Sequence, residues 1–203
     1  VPRPHAIARR ATVGVTAALT LAVLAGCGSD DSDSSMPGMS MSPSGSSSPG
    51  ASASAADQGD VMFAQMMIPH HQQAIEMADL ALKDTAGASA EVKALAGDIR
   101  AAQGPEIEQM RGWLESWGAR AEAPMDHDMS GMMSKEDMAA LSKATGPAFD
   151  RQWLTMMIEH HEGAVTMAQD VLKTTKNPDV EKLANAIVDS QTKEIATMKD
   201  LLS

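Results

Sequence analysis

Residues 63–82 (FAQMMIPHHQQAIEMADLAL) and 153–172 (WLTMMIEHHEGAVTMAQDVL) align at an offset of 90 with 9 identities in 20, so the chain carries an internal duplication. A second pair, 91–114 and 179–202, aligns at an offset of 88 with 9 identities in 24. The two-residue slip falls between the paired segments, in a turn where length changes are tolerated. Whatever one half folds into, the other must fold into as well. Two copies of one unit then have a self-complementary way to bury their apolar faces.

Each segment has a helical period. Leu95, Ile99, Gln103, Glu106, Met110 and Leu114 recur at steps of three and four, as do Leu183, Ile187, Gln191, Glu194, Met198 and Leu202. Phe63, Met67, His70, Ala74, Met77 and Ala81 form the same stripe in the preceding segment. Breaks are expected at Gly87, at Gly118 and Pro124, at Gly146 and Pro147, and at Asn177 and Pro178. Pro105 falls inside the second helix and is expected to kink it near Ala101. Residues 134–145 read as a short additional helix, with Ser134 as its cap. Four amphipathic helices joined by short turns, with no β-type alternation, predict an all-α fold. The expected architecture is an antiparallel four-helix bundle built from two duplicated αα-hairpins.

The N-terminal sequence speaks to compartment. Arg3, Arg9 and Arg10 precede an apolar run from Ala11 to Leu24 with no acidic residue, the pattern of a secretion leader. It ends in Leu24, Ala25, Gly26 and Cys27, which looks like a bacterial lipoprotein processing box. Residues 1–26 are therefore expected to be a lipoprotein signal peptide and Cys27 the lipidated residue, exporting the protein and anchoring it outside the cytoplasm at the cell membrane. Residues 27–57, rich in Ser, Gly and Met, read as a flexible tether. Residues 58–203 then form the bundle, with a crossover at about 119–146. Cys27 is the only cysteine, so disulfides, thiolate metal sites and cysteine nucleophiles are excluded once it is modified. The formal net charge of −11 argues against a nucleic-acid partner and for cations.

At 100° per residue, Met67, His70, His71, Ala74 and Met77 fall within about 120° of one another on one helix face. Met157, His160, His161, Ala164 and Met167 repeat the arrangement. Pseudo-twofold pairing would bring two imidazole pairs and four thioethers into one bundle interior, where bundle proteins place metals and cofactors. Gln103, Glu106, Gln191 and Glu194 are polar residues on otherwise apolar stripes. They are expected to accept the second ring N–H of the histidines. Asp60 and Asp150, at matching positions, are candidates for helix caps or dipole partners. The competing interpretation is a packed core with hydrogen-bonded histidines and gap-filling methionines.

Methionine also occurs where no core exists to fill. The tether holds Met36, Met39 and Met41; the crossover holds Met125, His127, Met129, Met132 and Met133, a possible secondary metal site. Thioethers need no deprotonation and suit Cu(I), while imidazole suits either copper state, so this donor mix points to copper. An imidazole site is expected to lose affinity below about pH 6.5. A flexible methionine surface for protein contact is the alternative. Heme with His and Met ligands is a rival cofactor, although no CxxCH sequence allows covalent attachment. No Glu stands three residues before a His, which excludes the di-iron carboxylate pattern.

An Asp, an aromatic three residues on, then MMI.HH..A..MA, from Asp60 to Ala78 and again from Asp150 to Ala168, with Q..EI..M at Gln103–Met110 and Gln191–Met198, resembles the bacterial domain-of-unknown-function 305 family. Trp153 replaces Phe63 in the second copy. The resemblance implies a ferritin-like bundle and, from some members, a secreted copper-binding protein linked to copper tolerance. Sequestration, tolerance or delivery of copper is the function expected, with a copper-handling protein as a possible partner. A copper- or heme-dependent redox protein and a metal-free structural envelope module are the alternatives.

Overall fold

A computed structural model describes residues 57–121 and 130–203. The expected leader, Cys27, Met36, Met39 and Met41 of the expected tether, and the crossover residues Met125, His127 and Met129 lie outside the described residues. The order is α1 (Gln58–Leu82), a single 3-10 turn (Asp84–Ala86), α2 (Ala90–Ser116), α3 (Lys135–Leu141), α4 (Pro147–Leu172) and α5 (Pro178–Leu202). No described helix is long and apolar enough to cross a membrane.

Local chemistry sets the helix ends. Asp57 accepts from the Gly59 amide, Ser89 from Val92 and Asn177 from Asp179, each satisfying an otherwise unpaired first-turn donor. Pro147 and Pro178 sit at helix starts, where their missing N–H costs nothing. Ser134 and Asp137 form a reciprocal capping box on α3, which is shorter than the 134–145 expected. Gly87 takes a left-handed φ of 59° after the 3-10 turn. Asp60 and Asp150 are not caps. Both lie in the first turns of their helices, and Asp150 instead accepts from the backbone N–H of Ser89, tying α4 to the start of α2. α2 runs unbroken through Pro105, as α1 does through Pro69.

α1 packs on α2, α4 on α5, and α1 on α4. Two apolar clusters define the register. One joins the N-terminal half of α1 (Phe63, Met67, Ile68) to the C-terminal half of α2 (Ile107, Met110), the C-terminal half of α4 (Ala164, Ala168) and the N-terminal half of α5 (Leu183, Ile187). The other joins the opposite halves: Ala74, Met77 and Ala78, then Ala96 and Ile99, then Trp153 and Met157, then Met198. Helices within each hairpin are therefore antiparallel, and so are α1 and α4. The fold is the expected all-helical bundle, with α3 added to the crossover.

Between the two clusters, in each of the four long helices, the core sequence is interrupted by polar residues. His70 and His71 fall between Ile68 and Ala74, Gln103 between Ile99 and Ile107, His160 and His161 between Ile158 and Ala164, and Gln191 between Ile187 and Met198. All six are buried. The duplication thus builds a polar layer across the middle of the bundle.

Candidate metal centre

At the centre of that layer, His70 of α1 and His160 of α4 face each other with ring centroids 3.7 Å apart and planes inclined by 37°. His71 and His161 flank them, and all four side chains are fully buried. The Nε2 of His71 lies 2.8 Å from Glu106 Oε2, and the Nε2 of His161 lies 2.8 Å from Glu194 Oε2. A carboxylate only accepts, so each Nε2 carries the proton and donates. In the neutral ring, Nδ1 then presents its lone pair to the interior. The same logic holds for His70, whose Nε2 donates to the Ser130 carbonyl at 3.3 Å, leaving Nδ1 free.

The Nδ1 atoms of His70, His71 and His161, and both ring nitrogens of His160, are buried without a hydrogen-bond partner among the described residues. Leaving a buried polar atom unpaired costs about 1–3 kcal/mol. Native interiors rarely tolerate a cluster of such atoms unless something else satisfies them. The amide oxygens of Gln103 and Gln191 are also unpaired, which corrects the expectation that they bond to the histidines. Only one nitrogen of each outer ring faces the second helix, and the glutamate one turn further along takes it.

Burial is the main force on the central imidazoles. It lowers the pKa of His70 to about 3, helped by His71 and His161 and opposed by the Ser130 carbonyl. Burial likewise holds His160 well below its ordinary value, followed by the influence of His70, His161 and His71. Both rings therefore stay neutral well below pH 6.5, where an exposed imidazole is half protonated.

Methionine placement is less symmetric than the sequence. Met67, Met77 and Met157 are fully buried one or two turns from the histidines, as are Met110 and Met198 on the second helices. Met167 is only partly buried and, with Phe63, Met62 and Met66, lines a surface cleft of about 290 Å³. The reason lies in its aromatic neighbour. Trp153 is packed over the corresponding Met77 and donates its indole N–H to the Met77 carbonyl at 2.9 Å. The smaller Phe63 fills its own corner less completely.

A further element crosses the layer. The Gln73 amide grips the backbone of Met133 from both sides, donating to its carbonyl at 2.9 Å and accepting from its N–H at 2.7 Å. A Cβ on Gly163 would overlap the Ser130 carbonyl, and one on Gly131 would press on the Glu159 carbonyl. Residues 130–133 thus lie as a strap against α4, beside His70. Sequence reasoning missed the strap, although it left a signal: Gly163 occupies the duplicated position of Gln73. Met132 and Met133 are partly buried in this strap.

The family described as Domain of unknown function (DUF305) matches residues 60–202. This chain belongs to the DUF305 family. A DUF305 fragment from Deinococcus radiodurans is 36% identical, with a TM-score of 0.65 over 72% of this chain and 97% of that one. CopM in its Cu(I)-bound form is also 36% identical, with a TM-score of 0.61 over 70% of this chain and 94% of its own. CopM has been solved with Cu(II) and with silver as well. An uncharacterised protein of Acanthamoeba polyphaga mimivirus is 42% identical over 53 residues, so this DUF305 chain matches about a third (35%) of that curated relative.

Among the described residues of this DUF305 chain, no three His, Cys, Asp or Glu side chains form a ready-made cage for an ion. The central rings touch one another, and each glutamate is spent on an outer nitrogen. What the layer offers is neutral imidazole lone pairs with thioethers nearby and no thiolate. That donor set fits a soft monovalent ion better than a hard divalent one. A porphyrin held between His70 and His160 would need an open slab between rings that are in contact.

Proposed function

We propose that this DUF305 protein is an exported, lipid-anchored copper-binding protein, in which His70, His71, His160 and His161 hold Cu(I) in the bundle interior. Met67, Met77 and Met157 are the nearby thioether donors. Met167 joins only if it turns inward from its cleft. Glu106 and Glu194 orient the outer imidazoles, as carboxylates do behind metal-bound histidines. The observation that carries the reading is the set of five buried imidazole nitrogens in one layer that have no partner among the described residues. The resemblance to CopM, solved with copper and silver, supports it. The leader and Cys27 support export and anchoring, and the Met/His segments of tether and crossover suit capture and delivery of copper to a partner protein.

The test is titration of the purified full chain with Cu(I) against a chromophoric competitor, beside the variants H70Q/H160Q and H70A/H71A/H160A/H161A. Circular dichroism establishes that each remains helical. Loss of a tight equivalent supports the bundle site; unchanged stoichiometry and affinity in folded variants reject it. Mass spectrometry of the membrane fraction for a diacylated Cys27 tests the anchor.

A further inference from the structure

The strap does more than cover the histidines. Met132 and Met133, together with Met156 of α4, line a cavity of about 570 Å³ on the outer side of α4. Met156 stands one turn before His160. Asp137, Arg151 and Glu159 lie on the same walls. Two carboxylates and one guanidinium therefore face the cavity, leaving one formal negative charge to balance a monovalent cation, although Asp137 also accepts from the Ser134 N–H and hydroxyl in the α3 capping box.

We infer that this cavity is a second, separate Cu(I) site, with the thioethers of Met132, Met133 and Met156 as ligands. The inference builds on the copper reading of the bundle but uses none of its ligands. Three thioethers and no ionisable donor form a neutral, soft set suited to a monovalent ion. The backbone of Met133 is fixed by two hydrogen bonds to Gln73 and that of Met156 by its helix, so two of the ligands hang from rigid supports. The bland alternative is gap filling, since Met133 also packs against the apolar cluster around Trp153. Leucine fills the same gap without a sulfur, and that separates the two. The cleft at Met62 and Met66 also gathers sulfur, but its walls include Phe63 and Val171 and no strap holds it, so it serves as the control.

The probe is Ag(I), a redox-inert substitute for Cu(I), added to full-length protein labelled at the methionine methyls and observed by NMR. The expected result is that the Met132, Met133 and Met156 methyl signals shift together over one equivalent. In M132L/M133L/M156L the bound stoichiometry falls by one, while M62L/M66L keeps it. The same shifts in H70Q/H160Q show this site independent of the histidines, so failure of the bundle reading would leave it standing. Methyl signals of Met132, Met133 and Met156 that do not move in the wild-type protein overturn the inference. So does unchanged stoichiometry in the triple leucine variant, or an equal loss in the control.

Discussion

The imidazoles of His70 and His160, one from each half of the duplication, lie 3.7 Å apart at a tilt of 37° in the buried centre of the bundle. The contact is between neutral rings. His70 is held neutral down to about pH 3, and His160 shifts in the same direction, both chiefly through burial. In the unfolded chain each would titrate near 6.5, so below that pH the unfolded state binds more protons than the native one. Their contribution to stability is present above pH 6.5 and is lost as the pH falls towards 3. From His70 alone the loss is about 2 kcal/mol by pH 5. Urea denaturation of metal-free protein at pH 7.5, 6, 5 and 4 is expected to show this decline, with a shallower slope in folded H70Q/H160Q. A flat profile in the parent protein would contradict the neutral pair.

Glu106 and Glu194 fix which nitrogen of His71 and His161 faces the interior. Substitution E106A/E194A frees both rings to turn and to change tautomer. Metal affinity is expected to fall about 10–100-fold. E106Q/E194Q offers an amide oxygen as acceptor and should recover part of the loss. Competition titration with Ag(I) measures both, and equal affinities in all three proteins would remove the glutamates from the site.

The bundle was legible because helical period and duplication are both written in one dimension. Four apolar stripes with glycine and proline breaks dictate four helices, and the repeat dictates how they pair. The histidines' burial followed from the same stripes. The differences between halves were harder to read. That Glu106 reaches an imidazole while Gln103, one turn earlier on the same face, does not depends on the axial offset between two packed helices, since the two side chains are equally long. The strap was missed because its partners, Gln73 and Gly163, stand 60 and 32 residues from Met133 and Gly131, and the break in the repeat between them does not say what it accommodates.

Trp153 and Phe63 are the duplicated residues that set how well each end of the bundle closes. Replacing Trp153 with Phe removes the indole that covers Met77 and its bond to the Met77 carbonyl. A cleft like the one beside Met167 should open there. The expected cost is about 1–3 kcal/mol, within the range for shrinking a buried aromatic side chain. Denaturant unfolding gives the value, and stability equal to the parent would mean that the Phe63 end is packed as well as the Trp153 end.

Gly163 separates helix propensity from close approach. In a helix interior, Gly to Ala adds up to about 1 kcal/mol of stability where space allows. Gly97 of α2 has that space, with nothing within 4 Å of an added methyl, so G97A is expected to stabilise by about 0.5–1 kcal/mol. At Gly163 the same methyl runs into the Ser130 carbonyl and the Gly131 backbone, neither of which is a flexible side-chain end. The strap must lift. That would break the contact of Ser130 with His70 and strain the grip of Gln73 on Met133, outweighing the gain in propensity. G163A should therefore unfold at a lower temperature than the parent while G97A unfolds at a higher one, and the Met133 amide should exchange with deuterium faster in G163A alone. If G163A were as stable as G97A with Met133 still protected, the strap would not rest on α4 through this glycine.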